Sequence, residues 1–239
     1  MKIALISDIH GNAVSLETVL ADIKKESVDK TIFLGDALTL GAQPNEVVEM
    51  LYGLQCECIL GNHDEFLFHF DKVKKYTNLQ NIINAVEWCR SKLSTNEVDY
   101  IRTFLPSIEI PLNETTRLLC FHGSPSSNTE VLLPENIVKK LEPCFSKEKN
   151  TIFAGGHTHI QMFRQYHGNS LINVGSVGQP FADYFTNGEP HILPFAEYTI
   201  LDCKNNAVEV NLKRIEIDRK KDGYCGNTRP GKTQRRISC

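Results

Sequence analysis

Seven side chains of metal-binding type stand at the ends of apolar runs: Asp8, His10, Asp36, Asn62, His122, His157 and His159. Carboxylate, imidazole and amide oxygen in this mixture suit hard divalent and borderline transition ions. A single ion does not need seven ligands, whereas two ions sharing one bridging carboxylate do. None of the seven is a thiolate, which argues against a structural cysteine-type zinc site. Two ions about 3.5–4 Å apart polarise a phosphoryl oxygen and supply hydroxide for in-line attack. His157-Thr158-His159 is the sharpest signal, because two imidazoles on one face of an extended segment form a chelate. Asp8-Ile9-His10, Gly35-Asp36, Gly61-Asn62-His63-Asp64 and His122-Gly123-Ser124-Pro125 are each weak alone, since Gly, Asn and Asp are common turn residues. Their joint occurrence in this order is not what chance turns give.

The elements that must position them follow from the hydrophobic pattern. Residues 2–7 (KIALIS) fit a buried strand ending at Asp8. Leu16, Val19, Leu20 and Ile23 then fall on one face of an amphipathic helix, with Asn12 as its N-cap. Residues 31–34 form a second strand ending in Gly35-Asp36, and Pro44 opens a helix with Val47, Val48 and Leu51 on its apolar face. Residues 56–60 form a third strand, ending in Gly61-Asn62-His63-Asp64. This rhythm predicts parallel βαβ order in an α/β fold. Right-handed crossovers gather the strand C-termini, and with them Asp8, His10, Asp36, Asn62 and His63, on one sheet edge.

Residues 66–105 read as helical, with Leu79, Ile82, Ile83, Val86 and Leu93 at helical spacing and a capping box at Ser94-Thr95-Asn96-Glu97. Trp88 reads as a packing anchor rather than a ligand platform. Residues 107–112 and 117–121 predict a hairpin around Asn113-Glu114. Short strands at 151–154 and 171–174, then 196–202 and 207–217 joined through Lys204-Asn205-Asn206, make a β-rich second half; Val208, Val210 and Leu212 alternate as in a half-buried strand.

Composition sets the bounds. At 239 residues, with 41% hydrophobic and 23% charged residues, the chain suits a soluble globular protein with a sizeable core. The first apolar run is too short for a signal peptide and no stretch approaches membrane-spanning length, so a cytoplasmic location is expected. The eight cysteines include no CxxC pair and predict buried free thiols, with Cys56 and Cys58 on one strand face. The net charge of −3 hides a basic terminus: residues 218–239 hold seven Lys/Arg against two Asp. A solvated, disordered terminus is the favoured reading of that segment. A polyanion-binding arm is the sharper one.

The series Asp8-x-His10, Gly35-Asp36, Gly61-Asn62-His63-Asp64, His122 and Gly156-His157-Thr158-His159 resembles the calcineurin-like metallophosphoesterases in order and spacing. Gly41, Pro44-Asn45-Glu46, Glu87-Trp88-Cys89-Arg90, His122-Gly123-Ser124-Pro125 and Gly175-Ser176-Val177-Gly178-Gln179-Pro180 further resemble a bacterial subgroup of phosphoesterases related to diadenosine tetraphosphatases. The resemblance covers residues 1–217. It implies a single-domain four-layer α/β/β/α sandwich of two mixed β-sheets. It also implies two divalent metal ions drawn from manganese, iron, zinc, nickel and magnesium, with manganese favoured. Asp8, His10 and His159 would hold the first ion, Asp36 would bridge, and Asn62, His122 and His157 would complete the second. His63 would lie beside the phosphoryl group as transition-state donor or general acid, with Asp64 either orienting its ring or capping the following helix.

The implied activity is hydrolysis of phosphate esters or anhydrides, on small nucleotides or simple phosphoesters. Backbone amides near Asn12 and the helix it starts would help to hold negative charge. Residues 66–105 and 175–188 would border the cleft, with Phe181, Tyr184 and Phe185 either stacking on a base or packing on the core. A nuclease acting on single strands is the alternative that the basic terminus favours. A non-catalytic scaffold, as in the retromer subunit resembling this family, is disfavoured because every motif position is filled.

Overall fold

The computed structural model describes residues 1–184, 190–204 and 207–217. The chain runs β1 (Lys2–Ile6), α1 (Ala13–Glu26), β2 (Lys30–Phe33), α2 (Pro44–Leu54), β3 (Glu57–Cys58), α3 (Asn62–Phe66), α4 (Phe70–Tyr76), α5 (Gln80–Lys92) and α6 (Thr95–Ile101). It continues through β4 (Ile108–Pro111), β5 (Arg117–Cys120), α7 (Ile137–Phe145), β6 (Thr151–Gly155), β7 (Met162–Tyr166), β8 (Asn169–Asn173), β9 (Phe195–Lys204) and β10 (Ala207–Glu216). One sheet has the order β10-β9-β1-β2-β3 and the other β4-β5-β6-β8-β7. β1, β2 and β3 are parallel, as are β5, β6 and β8, while the pairs β1–β9, β9–β10, β4–β5 and β7–β8 are antiparallel. Both sheets are therefore mixed.

The layering follows from alternation within the strands. In β1, Ile3 and Leu5 join Ile32, Leu34, Leu118, Ile152 and Ile172 between the two sheets. Ala4 and Ile6 face the other way, packing with Phe33 and with Leu16, Val19, Val47 and Leu51 from α1 and α2. A strand buried on both faces needs apolar residues throughout, which is what KIALI supplies. Phe121, Phe153 and Leu171 turn outward from the second sheet and are covered by Ile137, Leu141 and Phe145 of α7. Each fully buried side chain of this size stabilises the fold by about 1.5–3 kcal/mol. The result is the α/β/β/α sandwich. Asn12 caps α1 by accepting from Ser15 N at 2.9 Å, and Ser94 caps α6 in a box with Glu97.

Several details differ from expectation. β3 is short, pairing with β2 through Glu57 and Cys58, and Leu105 bridges to Ile59 on its other edge. Residues 66–105 are broken into separate short helices. Trp88 is 41% exposed with Lys92 over its ring, not a packing anchor. It lies two residues from Val86, about 200° around α5 and so away from the buried side. α7 and β7 carried no sequence expectation: α7 contains Pro143, and β7 is an edge strand with little burial.

Cys56 and Cys58 do share a face, with their sulfurs 3.7 Å apart, and the six cysteines among the described residues are free. No helix among the described residues is long and apolar enough to cross a membrane. The Asn205-Asn206 turn, Phe185 and the basic segment 218–239 lie outside the described residues.

Candidate metal centre

The strand ends bring the seven expected ligands together. Asp8 and His10 follow β1, Asp36 follows β2, and Asn62 opens α3 after β3; His122 follows β5, while His157 and His159 follow β6. Asp8, His10 and His159 form one group of ligand atoms within 4.8 Å of one another, and Asp36, His122 and His157 form another. Each group takes residues from both sheets. Asn62 joins the second group, with Oδ1 3.1 Å from His122 Nε2.

Asp36 stands between the two groups. Its Oδ2 lies 3.8 Å from His10 Nε2 and 3.3 Å from His122 Nε2. Its Oδ1 accepts from the His63 backbone amide at 2.8 Å, which fixes the carboxylate plane. Asp8 Oδ2 similarly accepts from His157 N at 3.0 Å, leaving Oδ1 3.3 Å from His159 Nε2. Two glycines permit this crowding. A Cβ on Gly61 would land on the Asp36 amide and carboxylate, and one on Gly156 on Ser7 and Asp8.

The backbone around the ligands is unusual. Asp8, His10, Asp36, His157 and His159 all have φ between 50° and 70°. This left-handed region is rare for residues with a side chain and costs of order 1–3 kcal/mol per residue. Ligand placement is therefore held by the surrounding packing.

The polar atoms fit a cation. His159 Nδ1 donates to the Gln179 carbonyl at 2.8 Å and His122 Nδ1 to the Leu34 carbonyl at 2.7 Å. Each bond turns the Nε2 lone pair inward. His10 Nε2 then lies only 3.0 Å from His159 Nε2, and buried Asp8 Oδ1 and His157 Nε2 make no hydrogen bond. Among the described residues neither Asp8 nor Asp36 pairs with Lys or Arg; imidazoles face both carboxylates. Buried carboxylates with inward lone pairs are a cation's environment.

Ionisation agrees with this reading. Burial would raise both carboxyls, yet the neighbouring histidines hold Asp8 below and Asp36 well below the usual range. Burial, reinforced by neighbouring imidazoles, lowers His10 and His157 to about 3, so their lone pairs are free to ligate. Burial also acts downward on His122, but Asp36 and Asp8 outweigh it and raise this ring to about 9.

A family model described as the calcineurin-like phosphoesterase superfamily domain matches residues 1–205. The chain belongs to this superfamily. An uncharacterized protein of Methanocaldococcus jannaschii is 31% identical across an alignment that covers 92% of this chain and 89% of that protein. A metallophosphoesterase from Sphaerobacter thermophilus superposes with a TM-score of 0.70 at 25% identity, covering 93% of this chain and 91% of its own. A hypothetical protein from Pyrococcus horikoshii gives 0.76 at 17% identity, with 92% and 90% covered, and attests the fold. The superfamily is dinuclear and metal-dependent, and its members are phosphoesterases. This calcineurin-like chain is accordingly a metal-dependent phosphoesterase.

One expectation for the calcineurin-like centre needs correction. Asp64 does not hold His63. Its oxygens accept from the backbone amides of Asp36 at 2.8 Å, Ala37 at 2.8 Å and Gly61 at 3.2 Å, so it caps α3 and anchors the loop after β2. Burial and the neighbouring charge of Asp36 push its carboxyl up to about 7. His63 instead pairs through Nδ1 with Thr39 Oγ1 at 2.7 Å. Near Asn12, Gly11 N donates to Ala37 O and Asn12 N to Ile9 O.

Thr39 is the residue that sequence reasoning missed. It follows Gly35-Asp36 in a loop with its own left-handed φ of 70°, and no local pattern marks it. Thr39→Val keeps the shape and removes the bond to His63. It should cut kcat about 10- to 100-fold with metal content unchanged, while Thr39→Ser restores activity. An unchanged kcat in the valine variant would show that His63 does not depend on this hydroxyl.

Proposed function

We propose that this phosphoesterase is a dinuclear hydrolase of phosphate esters or anhydrides acting on small nucleotides or simple phosphoesters. Asp8, His10 and His159 would hold one ion and Asn62, His122 and His157 the other, with the Asp36 carboxylate shared between them. The observation that carries the reading is Asp36 Oδ2 standing within 3.8 Å of one imidazole from each group. When bound, two divalent ions supply Lewis acidity and an activated water nucleophile. Manganese is the metal we favour.

The chain's own residues do the rest. His63, 7% exposed, lies beside the first group, its ring 5.1 Å from that of His10. Burial lowers its pKa, so the free ring is neutral at physiological pH. With the Thr39 hydroxyl donating to Nδ1, the neutral ring would carry its proton on Nε2, where it can stabilise the phosphoryl charge; to act as general acid the ring would first take up a second proton, with the hydroxyl turned to accept from Nδ1. Asp64 fixes the amides of Asp36 and Gly61, and so the spacing between the Asp36 carboxylate and His63. The Leu34 and Gln179 carbonyls keep two ligand imidazoles in the tautomer a metal requires.

The test is metal analysis of purified protein, followed by turnover of p-nitrophenyl phosphate, its bis-ester, diadenosine polyphosphates, cyclic nucleotides and single-stranded nucleic acid. About two ions per chain and turnover of small esters, lost on chelation and restored by manganese, are expected. Turnover of single strands alone would favour the nuclease reading. Chelator-insensitive turnover, or none with any substrate at full metal loading, would overturn the proposal.

A further inference from the structure

Tyr76 is the last residue of α4 and projects from no motif. Its ring centroid lies 6.4 Å from His63, 6.5 Å from His157 and 5.5 Å from Phe66. It therefore spans the gap between the proposed leaving-group donor and a proposed ligand of the second ion. The ring packs against three other rings, yet Tyr76 remains 42% exposed at the rim. Its mount is firm: Val73, one turn earlier, is fully buried with Phe66 and Val86.

Phe181 has a different fit. Its ring stacks on His159 at 4.4 Å and 27°, against the first ligand group. Tyr184, three residues beyond Phe181, is 38% exposed. The rim above His63 is thus aromatic and half open. A phosphoryl group at the two ions would place the substituent that leaves past His63 against Tyr76.

We infer that Tyr76 is a specificity-determining residue, a platform on which an aryl or nucleobase substituent of the substrate stacks. The inference rests on the proposed function and narrows its substrate class. An offset ring–ring contact at a rim of this kind favours an aromatic substituent over an alkyl one about tenfold. The hydroxyl is secondary here and the ring face is the selective element.

The test compares phenylphosphonate with methylphosphonate, two ligands that cannot be hydrolysed at the P–C bond, by calorimetric titration of manganese-loaded protein. Phenyl and methyl phosphate are compared by kcat/KM alongside. Wild type and Tyr76→Phe should prefer the phenyl ligands about tenfold, and Tyr76→Leu and Tyr76→Ala should bring both ratios near unity with metal content unchanged. The leucine variant keeps apolar bulk, so the two losses agree only if the ring itself selects. Equal wild-type affinities, an unchanged ratio in the alanine variant, or binding of neither ligand would overturn the inference. A phenyl preference in binding that depends on Tyr76, without turnover of any ester, would leave Tyr76 supported and reject the hydrolase reading.

Discussion

Asp36→Asn is expected to lose both ions at once and to lower kcat/KM by about 10³-fold or more, since bridging charge worth several kcal/mol disappears. The amide oxygen of the variant can still accept from His63 N, as Asp36 Oδ1 does at 2.8 Å. The other terminus then puts an N–H₂ where Oδ2 now faces His10 and His122. A donor replaces a charged acceptor at the point shared by the two groups. Metal per chain by elemental analysis, read beside Asn62→Ala, decides the matter. The asparagine variant should lose both positions, whereas the Asn62 variant should weaken one. Two tightly held ions in Asp36→Asn would remove the bridge from the mechanism.

His63→Ala should separate binding from chemistry. Its backbone amide continues to support Asp36, and its side chain is none of the proposed ligands, so two ions should remain. Loss of a proton donor typically costs 10²–10⁴-fold in kcat. The loss should be largest for alkyl esters, whose leaving alkoxides need a proton, and smallest for p-nitrophenyl esters. A uniform loss across leaving groups would point to transition-state charge stabilisation alone. Full activity with every ester would exclude the role. Removing the ring also leaves the buried Thr39 hydroxyl unpaired, at about 1 kcal/mol of stability.

The parallel strands and their polar ends were legible because short apolar runs such as KIALI stop abruptly at Asp, Gly or Asn, and each is followed by helical spacing. All seven expected ligands gather at two neighbouring groups for that reason. Less was legible where conformation or long-range contact decides. No propensity foretells left-handed φ at five of the ligand positions, because the packed strand ends impose it against local preference. Asp64 follows His63 in the chain, yet a helix start directs its carboxylate to amides and not to the preceding ring. Thr39 reaches His63 across 24 residues. Helix α7 carries a proline that disguises its period, though its Ile137, Leu141 and Phe145 cover the second sheet.

The division of each ligand group between the sheets ties occupancy to assembly. Asp8 and His10 meet His159, which lies 149 residues beyond His10, and Asp36 meets two histidines from the other sheet. Neither half of the chain could complete a site alone. An ion bound there acts as a rivet across the sandwich, and its binding free energy adds to the docking of the sheets. At a hundred times the dissociation constant, one such site contributes about 2.7 kcal/mol. Under the proposed assignment a bound ion would offset the strained backbone that aims these side chains, and resistance to unfolding would become a function of the free metal concentration.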